Sequence, residues 1–172
     1  MFELEKGFSY IFSEEFPAIS YRVFKHHLRL GFSGLCVTGT RPEDLREEWK
    51  ANVPVIWVTR DVYHESQVIS PKRLQKLHLV ISEFMGPRGK DSRIVLLDCL
   101  GYILKQESLD NIMKFLHATN ESVIMGNGVL IISVNLKALG KKETGFLEKE
   151  FRVYQNEMLV AQLLDDGSAA ED

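Results

Sequence analysis

Short apolar runs of β type alternate along the chain with longer stretches in which apolar residues recur every three or four positions. Five runs stand out, at residues 7–12, 34–38, 54–59, 93–98 and 128–134, rich in Val, Ile, Leu and aromatics. The last two have almost no polar interruption, the pattern of strands covered on both faces. Between the runs, Phe16, Ile19, Val23, Phe24, His27 and Leu30 fall on one helical stripe, as do Leu74, Leu77, Ile81 and Phe84, and then Leu109, Ile112, Met113 and Leu116. Helix starts are marked by Ser70 before Pro71, by Ser108 before Leu109 and Asp110, and by Arg41 before Pro42. In the last case Glu43 and Asp44 occupy the first turn, where the helix dipole favours acids. Stops are expected at Gly31, at Gly86-Pro87-Arg88-Gly89 and at Gly126-Asn127-Gly128, whose glycines would supply the positive φ. This alternation predicts an α/β fold, a three-layer α/β/α arrangement around a mostly parallel five-stranded sheet. Beyond the fifth run, residues 136–151 read as a helix interrupted at Gly140 and Gly145, and residues 152–164 as a β-hairpin around Gln155-Asn156-Glu157. Residues 1–164 are expected to form one domain. The acidic stretch 165–172 is too small and polar to repay its ordering entropy and is expected to be a disordered tail.

Composition narrows the class. The 172 residues are 45% hydrophobic and 26% charged with a formal net charge of -3, an ordinary balance for one globular domain large enough to need neither metal nor disulfide. That charge gives no global attraction to phosphate backbones or anionic membranes, so nucleic acid and membrane partners are disfavoured. Two cysteines, Cys36 and Cys99, each lie in an apolar run, the usage of a reduced compartment, where they act as small hydrophobes. No leader pattern opens the chain and no apolar run approaches the ~20 residues of a membrane span, so a cytoplasmic location is expected.

In a doubly wound sheet, ligands sit beyond the carboxyl ends of the strands. The residues there are Ser13, Glu14 and Glu15, then Gly39, Thr40 and Arg41, then Arg60 and Asp61, then Asp98, and finally Asn135. With Tyr102, the residues Glu14, Glu15, Arg41, Arg60, Asp61 and Asp98 make up the candidate strand-end cleft. A phosphate-binding loop would need glycines and then Lys and Ser or Thr after the first strand, but the chain runs into Ser13-Glu14-Glu15-Phe16-Pro17. Dinucleotide glycine spacing fails at the same turn, so no cofactor is expected. His26, His27, His64, His78 and His117 show no zinc spacing and the cysteines no pairing, so no metal is expected, with Asp98 the one candidate should a cation bind. His27 and His117 read as helix residues at the edge of the core. The basic clusters Lys25-His26-His27-Leu28-Arg29 and Lys72-Arg73 with Lys76 read as solvated helix faces.

Three segments carry a family resemblance: Gly31-Phe32-Ser33-Gly34-Leu35-Cys36-Val37-Thr38 with Arg41-Pro42, then Pro54-Val55-Ile56-Trp57-Val58-Thr59, then Leu96-Leu97-Asp98-Cys99-Leu100-Gly101-Tyr102-Ile103-Leu104. Together with Phe115-Leu116-His117 and Leu147-Glu148-Lys149-Glu150 they resemble the archaeal domain-of-unknown-function family 835 over nearly the whole chain. The family's usual Asp-Gly-Leu-Glu-Tyr is Asp98-Cys99-Leu100-Gly101-Tyr102 here, so the acid at the Gly101 position is missing. That family in turn looks like a degenerate relative of the RecA and KaiC ATPases. The resemblance implies a sheet order 3-2-4-5-1 in the numbering of the five runs, with the hairpin beyond strand one, and Asp98 in the position of a Walker B acid that has lost its phosphate loop.

The reading that follows is a non-catalytic protein-interaction or signal-transduction module, with no enzyme activity and a protein partner, a second copy of the chain included. Tyr21, Trp49, Tyr63 and Tyr102, outside the main stripes, are its expected interface anchors. Two alternatives stay open. One is a magnesium- and phosphate-binding receiver-like domain using Glu14, Glu15, Asp61 and Asp98, and the other is a nucleic-acid accessory protein using the cluster from Lys25 to Arg29.

Overall fold

A computed structural model of the chain describes residues 2–61, 67–89, 91–155, 160–162 and 164–165. The strands are β1 (Phe8–Ser13), β2 (Ser33–Thr38), β3 (Val55–Val58), β4 (Val68–Ile69), β5 (Arg93–Leu97), β6 (Val129–Val134) and β7 (Arg152–Tyr154). The helices are α1 (Ile19–Arg29), α2 (Leu74–Met85), α3 (Leu100–Gln106), α4 (Leu109–Gly126) and α5 (Lys141–Glu150). All neighbouring strands pair in parallel, in the order β4-β3-β2-β5-β6-β1-β7. Among the described residues the sheet thus has seven strands rather than five. The five expected runs form its middle, β3-β2-β5-β6-β1, and short edge strands flank them.

The parallel ladder explains the unbroken apolar runs. Helices must return the chain on both faces, so β6 is buried at every position and β5 at all but its first. One face packs Tyr10, Phe12, Ile94, Leu96 and Ile131 against Tyr21, Val23 and Phe24 of α1, and Val160 and Leu164 complete that layer. The other packs Val37, Val95, Leu97, Leu130 and Ile132 against α2, α3 and α4. Wherever two strands meet through such a core, each side chain withdrawn from water contributes roughly 1.5–3 kcal/mol.

Several local expectations are corrected. Among the described residues of 152–164 no hairpin forms: β7 adds to β1 in parallel and residues 160–162 and 164–165 are helical, while the expected turn at Asn156 and Glu157 lies outside the described residues. Asp165, the first residue of the expected tail, is helical and lies 2.9 Å from Arg22; residues 166–172 fall outside the described residues. Arg41-Pro42 starts no α-helix, only two single 3-10 turns at Pro42–Asp44 and Glu47–Trp49. At Ser70 the side chain accepts from Lys72 N and the carbonyl from Arg73 N, which closes a separate turn and delays α2 to Leu74. Ser108 does cap α4, accepting from Asn111 N at 3.3 Å. At the end of α4 the left-handed residue is Asn127 (φ 52°), not its neighbouring glycines. Those glycines serve close approach: a Cβ on Gly126 would lie 2.9 Å from the Gly86 carbonyl, and one on Gly128 would strike the Met85 sulfur. Residues 136–151 divide into a 3-10 turn (Leu136–Ala138) and α5, with Gly140 at the start of α5.

Candidate functional site

The connections change direction where β2 lies beside β5. A cleft of about 420 Å³ opens there, over the carboxyl ends of β1, β2, β5 and β6. Glu14, Glu15, Asp98 and Tyr102 line it, as do Gly39, Thr40 and Asn135. Arg41, Arg60 and Asp61 do not. Arg41 is exposed and turned to Glu43 at 2.9 Å, while Arg60 and Asp61 are exposed on the turn after β3, where the Arg60 backbone N–H donates to the Tyr102 hydroxyl at 3.1 Å.

Glu14 follows β1 as the chain turns toward α1, whose N-cap residue, Ala18, has no side chain able to accept a hydrogen bond. The Glu14 carboxylate does the capping from four residues further back. Its Oε2 accepts from Ile19 N at 2.9 Å, and its Oε1 accepts from Ser20 N at 3.3 Å, from the Ser20 hydroxyl, and from the Ser133 hydroxyl of β6 at 2.7 Å. Glu14 is only 4% exposed, and burial pushes its carboxyl above the usual carboxylate range although all these donors pull it down. It points into its own helix. The neighbouring Glu15 is exposed and has none of these bonds among the described residues.

Asp98 follows β5 and is held as firmly from other directions. Its Oδ2 accepts from the Tyr21 hydroxyl at 2.7 Å and the Thr38 hydroxyl at 2.8 Å, and its Oδ1 from Gly39 N at 3.1 Å. Its carboxyl too is raised by burial, with those three donors opposing. The carboxylate therefore binds the ends of β2 and β5 to α1. Tyr21 is 1% exposed and its ring stacks on Trp49 with centroids 5.0 Å apart, so Tyr21 is core rather than the exposed anchor expected of it. Trp49 is half-buried over that ring, under the Arg46 guanidinium at 4.9 Å; Tyr102 is half-buried, and Tyr63 lies outside the described residues. Cys36, beside the Tyr21 hydroxyl at 3.5 Å, has its thiol pushed up to about 12 by burial, and Cys99 is also raised, so neither is a nucleophile near neutrality.

His27 is fully buried. Its Nε2 accepts from Leu4 N at 2.9 Å, which leaves Nδ1 to donate to the Val23 carbonyl at 2.7 Å, and burial holds the ring neutral. His117 is exposed between Glu121 and Glu150. Among the described residues no three His, Cys, Asp or Glu side chains gather as metal ligands, and no helix is long and apolar enough to cross a membrane.

Sequence reasoning missed Ser20, Ser133 and Thr38, the donors that fix the two acids. A local signal existed for the first: an acid shortly before a helix whose cap position, Ala18, cannot accept a bond. Ser133 stands 119 residues from Glu14, beyond the reach of any local pattern.

Residues 14–151 match the family described as "Protein of unknown function (DUF835)". No curated protein matches the chain.

Proposed function

Starting from a chain that belongs to the DUF835 family, we propose a non-catalytic protein-interaction or signal-transduction module, built on a degenerate RecA-like scaffold. One observation carries this reading. After the first strand of a nucleotide-binding α/β domain, the free N–H groups of the next helix cradle a phosphate. Here the Glu14 carboxylate takes those N–H groups, at Ile19 and Ser20. An anion is already in the seat, covalently attached and backed by Ser133. A triphosphate would have to displace a buried side chain and then meet Glu15 at the mouth of the cleft. Asp98, in the Walker B position by resemblance, directs both oxygens at Tyr21, Thr38 and Gly39 and serves to hold strands and helix together.

The receiver-like alternative needs Asp61 beside Glu14, Glu15 and Asp98, and Asp61 does not line that cleft. The test is thermal melting of the whole chain with magnesium and ATP, and separately with pyrophosphate. No displacement of the midpoint is expected. Binding at a hundredfold its Kd would add about 2.7 kcal/mol, and a rise of several degrees would overturn the proposal.

A further inference from the structure

A cavity of about 470 Å³ lies away from the strand ends, between the first halves of α2 and α4. Lys72, Arg73 and Lys76 line it from the α2 side and Lys114 from α4, with Glu107 the one carboxylate on its wall. All four cationic residues are exposed, and none forms a close ion pair or donates a side-chain hydrogen bond among the described residues; Lys72 is near enough to Glu107 to help lower its carboxyl, so the groove keeps an excess of positive charge on Arg73, Lys76 and Lys114. In a chain of net charge -3, four cations gathered in one concave groove against a single carboxylate form a local excess of positive charge. Elsewhere on the surface Arg22, Arg41, Lys50 and Arg152 each lie within 2.9 Å of a carboxylate oxygen.

The same helix faces change character further along. On α2, Leu79 follows Lys76 by three positions and is 56% exposed; on α4, Met125 continues the stripe of Lys114, Ala118 and Ser122 and is 75% exposed. His78 and Ser122 join the two helices at 3.2 Å between these zones. From Lys114 to Met125 the stripe runs about 16 Å at 1.5 Å per residue, the length of roughly three helical turns.

We propose that this stripe is the docking surface of the module and that its occupant is an acidic segment of a partner protein, with carboxylates over the cationic half and apolar side chains over Leu79 and Met125. The inference rests on the interaction-module reading and gives that reading a surface and a partner chemistry. A nucleic acid fits less well. Its phosphates need cations in continuous succession, whereas the positive charge here ends within two helical turns and gives way to exposed apolar side chains.

The test is selection of a random twelve-residue displayed peptide library on the full chain and on the K76E/K114E variant. Both substitutions fall on exposed positions, and circular dichroism checks that the variant is folded. Enrichment of peptides that join several Asp or Glu to apolar residues is expected on the wild type and not on the variant. The best such peptide, synthesised, should bind the variant tenfold or more weakly and lose affinity as salt rises. L79E should weaken it by a smaller factor. Wild-type selection without acidic enrichment, or acidic enrichment equal on the two proteins, overturns the proposal. So does retention of a twelve-residue oligothymidylate, lost in the variant, in place of any peptide. Capture of a lysate protein equally by both proteins would leave the module reading standing while removing this groove from it.

Discussion

The strand-end cleft and the groove between α2 and α4 enclose comparable volumes, about 420 and 470 Å³, yet they treat charge in opposite ways. In the cleft the buried Glu14 and the half-buried Asp98 are consumed by the fold: Glu14 takes the first N–H groups of α1, and Asp98 ties Tyr21 to Thr38 and Gly39. In the groove Lys72, Arg73, Lys76 and Lys114 are exposed and have no internal carboxylate within ion-pair distance among the described residues. A charge that the chain satisfies internally is structural, and its removal leaves buried partners exposed to loss. A charge the chain leaves unsatisfied costs the fold nothing to change and is free to meet a partner. Position at a topological switch point is therefore a weaker sign of function here than the absence of internal partners.

The contrast is most sharply tested at Glu14. Glu14→Ala leaves two helix N–H groups and the Ser20 and Ser133 hydroxyls without their acceptor, at a cost of about 3 kcal/mol in urea unfolding. It also reopens the anion seat. Phosphate at about 50 mM should raise the melting midpoint of this variant by a few degrees more than that of the wild type. Equal phosphate response in the two proteins would show that the seat is not an anion site even when emptied. Glu14→Gln keeps the shape and adds a pH signature. Because burial raises the folded carboxyl, the folded protein holds its proton more tightly than the unfolded chain, so stability falls as pH rises from the ordinary carboxylate range towards the raised value. Relative to Glu14→Gln, the wild type should therefore be most favoured in acid and lose that advantage upward through this window.

Tyr21→Phe comes next. It removes one of three donors to Asp98 while keeping the ring against Trp49, and should cost about 1.5 kcal/mol. It should also raise the Asp98 carboxyl further, visible by carboxyl NMR titration, since a donor that lowers it is gone. An unchanged titration would mean that Thr38 and Gly39 alone hold the acid. Ser108→Ala removes the cap of α4 at the edge of the groove and should cost about 1 kcal/mol in the same unfolding measurement.

How far these differences could be read in advance follows from their range along the chain. β5 and β6 are legible because a strand buried on both faces needs apolar residues throughout, and nothing else explains Arg93–Leu97 or Val129–Val134 so simply. β4 has two residues and no period to detect. α3 begins three residues after β5 ends, and the two residues between them, Asp98 and Cys99, are too short a break to mark Leu100, Ile103 and Leu104 as a new element rather than a continuation of the apolar run. Glu14 and Asp98 are visible as acids at strand ends, but their inward orientation depends on Ser133 and Thr38, placed by sheet order rather than by spacing. Lys72, Arg73 and Lys76 are legible as an exposed basic cluster, although only Lys76 lies within α2; what turns the cluster into a groove is Lys114 on α4, brought alongside by helix packing.

The smallest effect bears hardest on the comparison. Lys76→Ala and Lys114→Ala, singly or together, should change unfolding free energy by no more than about 0.5 kcal/mol, because each replaces an exposed cation that has no internal partner. Their mutual repulsion across the groove gives the pair a slight bias towards stabilisation, largest at low salt and screened as ionic strength rises. A loss of 1 kcal/mol or more in either variant would show that the groove cations are held by the fold after all, as the cleft acids are. The distinction between satisfied and unsatisfied charge would then fail at the point where it assigns a role.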